Sequence, residues 1–256
     1  VQGDVEVRVL YYEYYVYQNG FEPVFIFGAT GTGGDLFVQV AAGTRFSLML
    51  AIGVAVVNLI IGAIYGAIEG FYGGKIDLVM ERILDILNGV PFMIVAVLFN
   101  MHLADSLGVV GALIFAFVLT GWIGTAATVR MQFYRFKKQE YVLAARTLGA
   151  RDRRLIMKHI FPNALGTIIT SAALYIPSVI FSETSLAYLG IINLNNPSEG
   201  LISLGSLLTS GQAAIATFPH IMLFPAIIIA LLMISFNLFG NGLRDAFNPS
   251  LRGSDG

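Results

Sequence analysis

Long uncharged apolar runs separated by short charged clusters dominate the pattern along this chain. No Asp, Glu, Lys or Arg occurs within residues 46–68, 86–104, 106–129, 159–182 or 200–243. A helix rises about 1.5 Å per residue, so roughly 20 such residues cross a hydrocarbon core of about 30 Å. The pattern therefore predicts an all-α polytopic membrane protein with five transmembrane helices, over 46–68, 85–103, 109–131, 163–189 and 214–239. Buried helices of a large soluble protein are the alternative, and five such runs in 256 residues argue against it.

Composition points the same way. Hydrophobic residues make up 56% of the chain and charged residues 12%, with a mean hydropathy of +0.76. A soluble domain carries about 25% charged residues, so there are too few here to cover a water-facing surface. The absence of cysteine excludes disulfides, thiolate metal sites and cysteine nucleophiles. A net charge of −1 provides no overall basic field for nucleic acid.

The few charges also give an orientation. If residues 130–162 are cytoplasmic, alternation puts 69–84 and 240–256 on the same side, and 13 of the 15 Lys and Arg residues then lie there, leaving Arg8 and Arg45 outside. The expected organisation is an extracytoplasmic segment 1–45, a membrane domain 46–240 with a cytoplasmic loop 130–162, and a cytoplasmic C-terminal tail 241–256. An odd number of crossings leaves residue 1 outside, so one further helix is expected before it, six in all.

Loop 130–162 carries the most information. Its nine cations, Arg130 to Lys158, would cost on the order of 20–30 kcal/mol in hydrocarbon. Within it Tyr141, Ala144, Ala145 and Leu148 recur at helical spacing, Gly149 follows as a C-cap, and Asp152 is placed to cap a second short helix. A face made of alanines lets another protein approach closely. The alternative from periodicity is an amphipathic helix lying on its own bundle or on anionic lipid.

The run Glu140-Tyr141-Val142-Leu143-Ala144-Ala145-Arg146-Thr147-Leu148-Gly149-Ala150, followed by His159-Ile160-Phe161-Pro162-Asn163, resembles the EAA loop of binding-protein-dependent ABC importer permeases, in particular the C-type oligopeptide and dipeptide permeases. Leu143 stands where the motif has glutamate, and Phe161 where leucine is usual. Further similar segments are Phe27-Gly28, Gly33–Phe37, Gly43–Ser47, Gly70–Gly74, Thr120-Gly121-Trp122, Glu183 with Leu186–Gly190, and Phe236–Gly240 with Gly242–Asp245. Thr30 and Gly34 replace an Asp and an Arg of the pattern. The resemblance implies a type I ABC importer fold in the cell membrane, pairing with a homologous permease, two cytosolic ATPase subunits and an extracytoplasmic substrate-binding protein. It implies that Glu140, Tyr141, Ala144, Ala145, Leu148 and Gly149 couple to the ATPases, and that ATP and Mg bind those partners while this chain holds no cofactor. Oligopeptides or dipeptides are the expected cargo, with nickel or glutathione as alternatives within the family.

Other features have competing readings. Residues 24–34 imitate a strand entering a nucleotide-binding glycine turn, but no βαβ unit follows and no P-loop lysine motif occurs. Glu183, inside the fourth span, faces either the translocation path, with Trp122, or structural partners such as Ser182, Thr184 and Ser185. His102, His159 and His220 lie on three spans and form no single metal cluster. Prolines 91, 177, 219 and 225 permit kinks, and Gly53, Gly62 and Gly66 offer close helix packing. Segment 190–213 is expected to be re-entrant or surface-lying, and the tyrosines at 11, 12, 14, 15 and 17 to form an interfacial surface. A membrane-embedded enzyme or an assembly protein are the rival classes; the spans show only isolated reactive side chains.

Overall fold

The computed structural model describes residues 11–22, 24–196 and 201–247. Residues 1–10, Glu199, the side chains of Tyr11 and Tyr12, and the tail from 248 onward lie outside the described residues. The elements are α1 (Tyr11–Asn19), α2 (Leu36–Tyr72), α3 (Gly74–Asn88), α4 (Phe92–Thr120), α5 (Ile123–Phe136), α6 (Glu140–Thr147) and α7 (Asp152–Arg154), a π-helical turn (Leu155–Ile160), α8 (Phe161–Tyr188), a two-stranded antiparallel ribbon of β1 (Asn195–Asn196) and β2 (Leu201–Ile202), α9 (Leu204–Ala214) and α10 (His220–Ala246).

Among the described residues, four helical runs are long and apolar enough to cross a membrane: 36–72, 92–136, 152–188 and 220–246. The second is folded back on itself. Gly108 leaves the helix at φ 74°, ψ 161°, and the rings of Phe92 and Phe117 stack at 4.7 Å, where a straight helix would hold them about 37 Å apart. Its limbs, 92–107 and 109–136, correspond to the two crossings expected over 85–103 and 109–131.

Helix ends differ from the expected ones for local reasons. Asp35 caps α2, accepting from the Phe37 and Val38 N–H groups at 2.8 and 3.4 Å, so the helix that carries the first expected crossing starts at Leu36, ahead of residue 46, and takes in Arg45. Residues 85–88 belong to the amphipathic α3, and the next crossing begins after Pro91. Residues 214–219 end α9 and turn at Pro219, while α10 continues to Ala246, so the tail expected from 241 begins as helix. Asp152 is the first residue of α7 and caps nothing; Arg151 holds the cap position. Pro91 and Pro219 stand at helix starts, and Pro177 and Pro225 lie inside α8 and α10.

A glycine row holds the bundle together. Gly62, Gly66 and Gly70 lie one turn apart on α2, and a Cβ on each would run into α5: 2.8 Å from the Trp122 carbonyl oxygen, against the Ala126 carbonyl, and 2.7 Å from the Arg130 carbonyl oxygen. A Cβ on Gly53 would meet open space among the described residues. At the far end of α2, Leu36 and Val40 pack with Leu204, Leu207 and Ile221. Helix α9 is wedged against α8 and α10, with Gly205 on Thr184 and Ala187 and Gly211 on Met222, so this part of the expected re-entrant or surface-lying segment folds back onto the bundle.

Replacing Gly66 with Val should separate α2 from α5 and lower stability by about 1–3 kcal/mol or more. Gly53→Val should stay within about 0.5 kcal/mol. Thermal unfolding of both variants in detergent checks the contrast.

Candidate functional site

Three polar constructions stand out from the apolar bundle. The first surrounds Arg130 in the middle of α5. Its Nε donates to Asp77 Oδ1 at 2.6 Å and its Nη2 to Asp77 Oδ2 at 3.1 Å, and its Nη1 lies 2.8 Å from Glu81 Oε2. The fully buried Glu69 stands 3.5 Å from Nε. Tyr134 donates to Asp77 at 2.6 Å. Asp77, Glu81 and Glu69 are the one group of three acids close enough to share a cation among the described residues, and the guanidinium lies among them. Bonds from Arg130 hold the Asp77 carboxyl below its ordinary pKa range. The Lys137 ammonium caps the exposed end of α2, donating to the carbonyls of Gly70 at 2.6 Å and Phe71 at 3.3 Å, and burial lowers its pKa.

The second is α6, mounted on that base. Val142 is fully buried among Phe71, Phe133, Leu155 and Ile160. The Arg146 guanidinium lies over the Phe71 ring at 5.7 Å, and the Tyr141 hydroxyl donates to the His159 carbonyl at 3.4 Å. Partial burial raises the Tyr141 pKa. Gly149, at φ +83°, ends the helix: its N–H bonds the Arg146 carbonyl and that of Ala150 bonds the Ala145 carbonyl, both at 3.0 Å, the paired closure that a left-handed residue permits. Glu140 occupies the first turn.

The predicted coupling residues therefore divide. Tyr141, Ala144, Leu148 and Gly149 face outward, whereas Ala145 is half-buried against the protein's own core. Leu143 and Leu148 are 46% and 88% exposed and give α6 an apolar outer surface. One side of the helix thus lies on its own bundle, as the alternative reading of its periodicity had it, and the other is uncovered. Val142, which periodicity left out, is the anchor. Its signal was present: it is the apolar residue three before Ala145 on the inner side.

The third is a cleft of about 700 Å³ between the limbs of α4, the start of α5 and α8. Ser171, Tyr175, Ser178 and Ser182 line it from α8, facing Thr120, Gly121 and Thr125. Asn58, fully buried at the middle of α2, donates to the Phe117 carbonyl at 3.2 Å and to the Tyr175 hydroxyl at 3.3 Å. The two meet against Gly121, where a side chain would collide with both. Neither Glu183 nor Trp122 lines this cleft. Glu183 is fully buried and accepts from the Ser47 hydroxyl at 2.9 Å, joining α8 to α2. Trp122 packs on Tyr65 at 4.8 Å, and the Tyr65 hydroxyl donates to the Met80 carbonyl in α3. The three histidines stand apart; His220 Nε2 meets the Ala29 carbonyl at 3.0 Å.

A family model described as the binding-protein-dependent transport system inner membrane component matches residues 62–253. The oligopeptide transport system permease protein OppC of Bacillus subtilis is 43% identical over 226 residues, 88% of this chain and 72% of that protein. The dipeptide transport system permease protein DppC of the same organism is 38% identical, over 88% of this chain and 69% of its own length. Among solved structures, an inward-facing MetNI methionine ABC transporter matches with a TM-score of 0.68 at 16% identity, covering 83% of this chain and 97% of that one, which shows a shared fold.

Removing the guanidinium in Arg130→Ala should cost about 3 kcal/mol, the low end for a broken buried pair because Arg130 is partly exposed. Because the folded Asp77 pKa is lowered, its contribution is present above the ordinary carboxylate range and is lost as pH falls through the lowered value. Asp77→Asn should accordingly be less stable than the parent near neutrality and converge with it in acid, as followed by unfolding midpoints across pH.

Proposed function

We propose how this chain works from one premise: it belongs to the binding-protein-dependent transport system inner membrane components. It is a permease subunit of an ATP-driven ABC importer, a transport component rather than an enzyme, and it resides in the membrane as a multi-pass protein. Relatives to which it is similar are named for oligopeptide and dipeptide transport, and we assign oligopeptides or dipeptides as the cargo. The lining of the cleft fits that class: it is uncharged and largely apolar, and its hydroxyl groups offer hydrogen bonds to peptide amides with no fixed charge to hold a cation.

The concentration of cations in the loop with α6 supports a cytoplasmic position for it, with the C-terminus on the same side. A homologous permease completes the path, two ATPase subunits bind ATP and Mg beneath, and an external binding protein delivers the cargo. The observation that carries the coupling role is the asymmetry of α6: it is anchored inward by Val142 and bears the uncovered Tyr141, Leu143, Ala144 and Leu148. Leu143, in place of the motif's glutamate, gives that joint an apolar contact. Closure of the ATPases moves α6, and the α2–α5 unit on which it is mounted tilts with it. The cleft is thereby opened to alternate sides. Glu183, bonded to Ser47, supports the path rather than lining it, and Trp122 buttresses α2.

Ala144→Arg should reduce uptake by the assembled transporter at least tenfold while ATP hydrolysis and membrane insertion persist, and Gly149→Val, strained at its left-handed φ, should act likewise. Ser178→Trp, filling the cleft, should block uptake without uncoupling hydrolysis from α6. Uptake into proteoliposomes, measured beside ATPase activity, checks all three; unchanged uptake in the α6 variants would refute the coupling role.

A further inference from the structure

Next to α6, a cationic pocket of about 430 Å³ is lined by Arg151, Arg153, Arg154, Lys158 and Met157. None of the four cations forms an ion pair among the described residues, and Asp152 is the only acid in their stretch. Met157 also lines a second hollow, about 470 Å³, between α2 and α8. Ile60, Ile64 and Ile68 form one wall of it, and Ile156, Phe161 and Ile169 the other. Its lining carries no charged side chain. The α2 wall spans residues 59–68, about 14 Å along the helix. The π-helical turn forms the junction: the Phe161 N–H reaches back five residues to the Ile156 carbonyl, a wider turn than an α-helix makes.

We propose that the two hollows are one binding site for an anionic phospholipid, with the phosphate headgroup among Arg151, Arg153, Arg154 and Lys158 and an acyl chain along the apolar groove. Clustered cations at the membrane edge attract anionic headgroups, and guanidinium groups match phosphate oxygens. Charge complementarity alone also suits an acidic protein surface. The groove decides between them, because it opens from the same methionine into the stretch of α2 and α8 that lies at bilayer depth, where hydrocarbon is the available partner. The groove floor includes Ile156 and Ile168, which pack in the cluster that holds Val142. A lipid seated there braces the mount of α6. The site does not include the outward face of α6, so it stands or falls separately from the coupling role.

Native mass spectrometry of the full chain, titrated with phosphatidylglycerol, phosphatidylcholine or inorganic phosphate, reads the preference directly. Phosphatidylglycerol should be retained over phosphatidylcholine, the preference falling about fivefold for each cation removed by Arg→Gln at 151, 153 and 154. The corresponding Arg→Lys variants should keep most of it. A second reporter guards against misfolding. The chain has one tryptophan, so Met157→Trp in a Trp122→Phe background gives a single fluorophore at the junction, which brominated phosphatidylglycerol should quench at lower concentration than brominated phosphatidylcholine. Equal retention and equal quenching by the two lipids would overturn the proposal. So would displacement of the lipid by millimolar inorganic phosphate, which would mark a free-anion site. An unchanged lipid preference in the Arg→Gln variants, with loss of a co-purifying ATPase subunit, would also overturn it in favour of an acidic protein partner.

Discussion

The contact between α2 and α5, closed to backbone distance by Gly62, Gly66 and Gly70, is the constraint on which the other arrangements depend. Between helices in hydrocarbon there is little hydrophobic drive, so packing at this range supplies the attraction that side-chain burial gives in water. The contact also fixes register. With Gly70 against the Arg130 carbonyl and Phe133, the guanidinium reaches α3, the Lys137 ammonium reaches the last carbonyls of α2, and Phe133 closes the pocket that receives Val142. A shift of one turn along α2 would undo all three.

Around Arg130, charge is placed where partners are at hand. Asp77 takes two bonds from Arg130 and one from Tyr134, and Glu81 and Glu69 share the same cation. This ties the amphipathic α3 to the bundle, which its single buried residue, Leu84, would do poorly. Glu183, the buried acid on α8, meets Ser47 instead of a cation. Along α8 the polar side chains that line the cleft are all hydroxyls, set beside Leu174 and Val179, a surface that hydrogen-bonds without trapping what it touches.

The crossings and the basic loop were legible because both follow from the cost of placing charge in hydrocarbon, which acts at nearly every position. Helix ends were less so: Asp35, Pro91 and Pro219 decide them through single caps and missing N–H groups that a hydropathy average smooths over. Of the helix-packing glycines, Gly62 and Gly66 were readable as small residues, but nothing local separates them from Gly53, which faces open space. The outward residues of α6 emerged from spacing, yet the same spacing grouped the half-buried Ala145 with them, because a short helix with two apolar sides does not say which is inward. Asn58 and the Arg130 group needed tertiary structure, since their partners lie 59 and 53 residues away.

The fold at Gly108 leaves the first limb of α4 only 16 residues long. At about 1.5 Å each that limb measures some 24 Å, against about 30 Å of hydrocarbon in an average bilayer. The α2 helix beside it is more than twice as long. A crossing that short is met by thinning of the lipid beside it, by flanking side chains reaching outward or by neighbouring protein, whereas α2 makes no such demand. Where lipid meets the short limb, the length of its acyl chains becomes a mechanical load on the walls of the cleft.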